Sequence, residues 1–126
     1  MKIDFTTLNK TILQEGIHEV SITYVSVGTN PKTGNKFFKC IFSNNKGYLP
    51  QWFYVTERSK PFIKKLFVAT GVLDDIAEVK DLLSKSLLIR VKNSYLINPS
   101  TGEITKEIST CIDYEPIALF KAAQIQ

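Results

Sequence analysis

Two strand-length runs, residues 36–43 and 48–55, are separated only by Asn44-Asn45-Lys46-Gly47. A link of four residues can join only antiparallel neighbours, and its asparagines and glycine suit a tight hairpin. Both runs are so rich in apolar and aromatic residues that alternation alone does not separate their faces. Lys39 does, because an unpaired ammonium does not face a core. It turns Phe37, Lys39 and Ile41 outward and leaves Phe38, Cys40 and Phe42 inward. On the second run Leu49, Phe53 and Val55 make the inward set, with Tyr48, Trp52 and Tyr54 outward; a bulge would reverse this parity.

The hairpin sits within a series of short elements. From Gly16 onward, Val20, Ile22 and Tyr24 alternate with Glu19, Ser21 and Thr23, the period-two signature of a half-buried strand. The cluster Gly28-Thr29-Asn30-Pro31-Lys32-Thr33-Gly34-Asn35 then predicts an exposed loop. After the hairpin, Ser59-Lys60-Pro61 reads as a capped helix start with proline in the first turn. Phe62, Ile63, Leu66 and Phe67 recur at helical spacing and Gly71 supplies the stop, giving a helix of about a dozen residues. A helical turn over 79–83 is followed by a fourth strand, in which Leu87, Ile89 and Val91 alternate with Leu88, Arg90 and Lys92 as far as Leu96. A second turn cluster at 98–103 leads to a fifth strand with Ile108, Thr110, Ile112 and Tyr114 on one face. Residues 1–14 are expected to be a loose arm or a short helix over 8–13, and 116–126 a tail, helical or extended. With no internal repeat, low-complexity stretch or linker, the 126 residues read as one domain with its barrel over 15–115.

Three strands, a helix and two further strands are the element order of an OB-fold. That is a mainly β, five-stranded Greek-key barrel with one helix between strands three and four. Small SH3-like barrels carry no substantial helix at that point. Ligands of OB-folds cross strands two and three, flanked by the one-two and four-five loops. Those are the parts that this sequence makes basic, aromatic or turn-rich.

Charge is distributed accordingly. The whole chain has a net charge of +4, but residues 28–65 hold eight basic residues against the single acid Glu57, a local net of +7. The same stretch holds eight of the fourteen aromatic residues. Cations for phosphates and rings for unstacked bases are what a single-strand binder needs.

The arrangement Gly16-Ile17-His18-Glu19-Val20-Ser21-Ile22, then Lys32-Thr33-Gly34-Asn35-Lys36-Phe37, then the aromatic hairpin, then Asp81-Leu82-Leu83-Ser84-Lys85, resembles small single-stranded DNA-binding proteins of bacteriophages, the lactococcal type in particular. The resemblance spans about residues 15–115. It implies an OB-fold, self-association as a homodimer or higher homo-oligomer, no cofactor, and protection or presentation of single strands in phage DNA replication or recombination. Replication or recombination proteins are the further partners it implies, and the host cytoplasm is the setting. Bacterial housekeeping proteins of this function end in an acidic tail that recruits partners. This chain ends Ala118-Leu119-Phe120-Lys121-Ala122-Ala123-Gln124-Ile125-Gln126, which counts against a tail-mediated role.

On this reading Lys32, Lys36, Lys39, Lys46, Arg90 and Lys92 neutralise phosphates, and Phe37, Tyr48, Trp52 and Tyr54 stack bases without sequence choice. Tyr95, near the four-five loop, closes over the strand or packs against its own sheet. A lone strand tryptophan is a core anchor as often as a ligand platform, so the placement of Trp52 is decisive. Phe38, Phe42, Phe53, Phe62 and Phe67 read as core, and Lys60, Lys64 and Lys65 as a solvated helix face.

Other chemistries find less support. Cys40 and Cys111 lie far apart in apolar runs and read as reduced core thiols; His18, an exposed strand residue, is the only histidine that could activate one. Two cysteines and one histidine without short spacing do not assemble a zinc site. Asp74-Asp75 and Glu103 read as loop acids, and no nucleophile-base pair or phosphate-cradling loop is found, so no enzyme, cofactor or metal is expected. No run reaches the roughly 20 apolar residues of a membrane span. Met1-Lys2-Ile3-Asp4-Phe5 lacks a signal peptide's apolar core, so a cytoplasmic setting is expected. Two alternatives stand beside single-stranded DNA binding: an OB-like module that contacts another protein of a replication or recombination complex, and an RNA-directed module.

Overall fold

In chain order the computed structural model runs through β1 (Thr11–Ile12), β2 (Gly16–Thr29), β3 (Lys36–Ser43), β4 (Gly47–Tyr54), α1 (Lys60–Ala69), a 3-10 turn (Val79–Leu82), β5 (Ser86–Ile97) and β6 (Ile104–Glu115). It describes residues 1–2 and 11–117, so most of the predicted N-terminal arm and C-terminal tail lies outside the described residues. Where the arm is described, it is not helical. Thr11 and Ile12 pair in parallel with Gly47 and Tyr48, and Leu13 is buried in the core.

All six strands belong to one sheet, in the order β1-β4-β3-β2-β5-β6. The fourteen-residue β2 makes the sheet curl. Its first half, Gly16 to Ser21, pairs with β5, and its second half, Ser21 to Thr29, pairs with β3. Thr23 is an extra residue between the Ile22↔Phe42 and Tyr24↔Ile41 pairs, a bulge whose hydroxyl lies 3.0 Å from the Ser43 hydroxyl. Such a bulge sharpens the bend and exchanges the two faces. Val20 and Ile22 therefore point inward as predicted, whereas Tyr24 points outward and Val25 packs on the core instead. A second bulge, between the Arg90↔Asp113 and Val91↔Cys111 pairs, does the same to β6: Cys111 and Tyr114 are buried, and Ile112 is exposed rather than sharing their face. On β5, Leu88 is buried with Leu87 and Ile89, which the simple alternation does not anticipate.

The product is a curled half-barrel of six strands with one helix, mainly β as expected. Its strand count and connectivity differ from the predicted five-stranded Greek-key barrel. One reason lies at the start of β4, which β1 approaches so closely that a Cβ on Gly47 would stand 2.1 Å from the Thr11 carbonyl oxygen. The other is that β4 and β6 share no ladder among the described residues. They are joined by the Gln51 side chain, whose Oε1 accepts the Cys111 N–H at 3.2 Å.

Inside the curl, Phe38 stacks on Phe53 with centroids 4.7 Å apart, and Tyr114 packs against Phe42, Phe53 and Phe62. Leu66 and Phe67 bring α1 onto this cluster. Full burial of each large side chain contributes about 1.5–3 kcal/mol. The helix spans ten residues, slightly fewer than predicted. Ser59 does not cap it by side chain; its hydroxyl donates to the Tyr54 carbonyl and accepts the Thr56 N–H, tying helix to strand. Gly71 ends it at φ +87°, where Val72 N–H reaches the Phe67 carbonyl at 2.9 Å. No helix among the described residues is long and apolar enough to cross a membrane.

The loops at 30–35 and 98–103 share the sequence Asn-Pro-x-Thr-Gly-x and one hydrogen-bond pattern. This is a short internal repeat that the sequence reading did not separate from ordinary turn composition. In each, the asparagine Oδ1 accepts the N–H two residues on, at 2.9 Å, and the threonine hydroxyl oxygen accepts the N–H two residues further. These side chains satisfy backbone donors that no ladder reaches.

Candidate nucleic-acid interface

The outer face of β2, β3 and β4 is built from their register. Phe37 lies opposite Gly28 on one side and Tyr54 on the other; Lys39 lies between Ser26 and Trp52; Ile41 lies between Tyr24 and Pro50. Because the β3-β4 ladder carries no bulge, the parity set by Lys39 extends unbroken across the hairpin. Trp52 is 53% exposed and Tyr54 54% exposed, so neither is a core anchor.

Phe37 is held flat by the absence of a side chain beneath it. A Cβ on Gly28 would sit 2.5 Å from the ring, so glycine is required there for the ring to lie down over β2. Its other side meets Tyr54, with centroids 5.9 Å apart and planes 46° apart. The Lys39 ammonium lies 4.7 Å from the Trp52 ring centroid and 6.0 Å from that of Tyr24, a cation bracketed by two rings. The ion pairs among the described residues are Lys60–Glu57, Lys65–Asp113 and Lys80–Glu78, none of them on this face. The side chains of Lys32, Lys36, Lys39 and Lys46 thus have no acidic partner there.

The predicted site residues divide into three groups. Phe37, Lys39, Trp52 and Tyr54 come together, with the exposed Lys36 at the start of β3 and the exposed Lys32 in the preceding loop. Tyr48 and Lys46 belong to the opposite end of the hairpin, roughly 20 Å of strand from Tyr54; Tyr48 is half-buried opposite Ile12. Arg90, Lys92 and Tyr95 are not brought to this face. Arg90 and Lys92 line a shallow groove with Glu15, Gly16, Ile17 and Ile112 beside the first half of β2. Tyr95 is exposed on the β5-β6 arm with Leu96, Ile97 and Ile104. The expectation that both loops flank one surface is corrected to that extent, because the bend in β2 separates the part paired to β5 from the part paired to β3.

Tyr24 was missed as a member of the face. The signal existed: apolar positions 20, 22 and 25 break the period of two, and the odd spacing marks the bulge at Thr23.

Cys40 and Cys111 are free and buried, and burial pushes both thiols up to about 12. Tyr114 beside them is also raised, by burial first and by Cys111 second. His18 is half-buried, its Nε2 2.6 Å from the Gln14 carbonyl oxygen. No protein-family model matches this chain, and no curated protein is found to be similar to it.

Proposed function

We propose that this chain is a non-catalytic single-stranded DNA-binding protein, largely indifferent to sequence, and that its curled sheet is a variant of the OB type. The observation that carries the proposal is one sheet face bearing the exposed Tyr24, Trp52, Tyr54 and Lys36 with the half-buried Phe37 and Lys39, its cations having no acidic partner among the described residues. Rings offer every base a stacking surface, and the lysines release counterions from the backbone. The OB reading is supported by the helix between the third and fourth long strands. The resemblance to phage proteins supplies the setting, replication or recombination of DNA in a host cell. RNA offers the same stacking and phosphate chemistry and is the first competitor to test.

The test is a fluorescence titration of the single tryptophan with oligothymidylate, with oligouridylate and duplex DNA as controls. Quenching by single strands is expected, with log affinity falling against log salt at a slope near −2 for contacts by Lys32, Lys36 and Lys39, taking about 0.7 per phosphate. Equal binding of duplex, or affinity that ignores salt, would overturn the reading. The exposed Tyr95, Leu96, Ile97 and Ile104 favour a second role for the β5-β6 arm, contact with another copy of the chain or with a replication protein.

A further inference from the structure

At the end of the half-barrel beside the first loop, the aromatic face runs into an open groove of about 510 Å³ lined by Val27, Gly28, Lys36, Phe37, Val55 and Val79. That volume falls within the range of roughly 300–1,000 Å³ typical of small-molecule clefts. Val27 and Val55 continue the inward alternation of β2 and β4 past Val25 and Phe53, yet Val27 is 73% exposed and Val55 is also exposed. The prediction that Val55 joins the core is corrected: it is exposed and walls the groove instead, with Val79 of the 3-10 turn as a further wall. No acid lines the groove, and Lys36 at its lip forms no ion pair among the described residues. Phe37 belongs to both surfaces, touching Tyr54 on the face and lining the groove.

We infer that this groove takes a nucleobase of the bound strand, splayed off the stack one step beyond Phe37, with Lys36 meeting its phosphate. The inference rests on the single-strand reading. The chemistry fits: apolar walls accept a planar ring, an aromatic edge continues the stack, and the only charge at the mouth is positive. An aliphatic side chain from another protein would also find apolar walls, but it would leave Lys36 facing no anion.

The two readings separate in one experiment on the full chain with methyl-labelled valines. Oligothymidylates of increasing length, from about 4 to about 16 nucleotides, span the usual site sizes of one OB-fold. Trp52 fluorescence reports the face, and the Val27, Val55 and Val79 methyl signals report the groove. The valine signals are expected to shift only with strands longer than the shortest that quench Trp52. Val27→Asn is expected to weaken the long strands about fivefold while leaving the short ones and the melting temperature unchanged. If that variant melts early, Val55→Asn replaces it. Silent valines beside a quenched tryptophan would overturn the groove and leave the face standing. Silence of both probes at every length would overturn both.

Discussion

The two Asn-Pro-x-Thr-Gly loops are one turn used twice, at 30–35 and 98–103, with the glycines at φ +72° and +73°. Their surroundings share almost nothing. The first has Lys32 at its variable position and feeds β3, where Phe37 and Lys39 meet Tyr54 and Trp52 across the ladder. The second has Ser100 there, ends in Glu103, and joins two strands whose tips expose Tyr95, Leu96, Ile97 and Ile104. Local hydrogen bonding fixes the turn, but the strands that leave it determine the surface. The first loop ends a cationic ring-bearing face; the second tips an apolar arm.

The largest effect that could break this contrast concerns the rings. Trp52→Ala combined with Tyr54→Ala is expected to cost about 2–6 kcal/mol in affinity for labelled oligothymidylate by anisotropy, at about 1–3 kcal/mol per stacked base. Both side chains are half-exposed, so the fold should survive. Tyr95→Ala on the arm should cost less than about 1 kcal/mol; a matching loss there would erase the distinction. Next comes charge. Lys32→Gln with Lys36→Gln is expected to reduce the salt slope by about 1.4, at about 0.7 per phosphate, whereas adding a cation by Ser100→Lys should leave it unchanged. A steeper slope in the Ser100→Lys variant would put the second loop on the strand's path. The smallest effect tests what the loops share. Gly34→Ala and Gly102→Ala should each lower stability in urea by about 1 kcal/mol, because both force an alanine into the left-handed region. Unequal losses would mean that the turns are alike in sequence only.

The hairpin, the helix and the outward set Phe37, Lys39, Trp52 and Tyr54 were legible in the sequence, because alternation, a short turn and one unpaired lysine act locally. The bulges at Thr23 and Ile112 were legible at most as one apolar position out of step, Val25 after Ile22 in the first case. A bulge has no residue signature of its own and shows only as a misplaced apolar position, so Tyr24 and Ile112 were assigned to the wrong sides. Arg90 and Lys92 are strand residues as expected, but they line a groove of their own beside the first half of β2. Which surface they serve depends on the bend of β2, a property of the assembled sheet. Leu13 and β1 escaped because two residues of strand are too few to show a period.

Gln51 has a consequence for the half-barrel. A ladder fastens two strands at every second residue and parts only by tearing along its length, whereas one amide works like a button. Without a backbone ladder, the edge between β4 and β6 is held by side chains: that amide, the Phe53 ring against Tyr114, and Phe62 of the helix, which touches both. The rim of the curl is therefore stitched by side chains, where every other join in the sheet is woven by backbone.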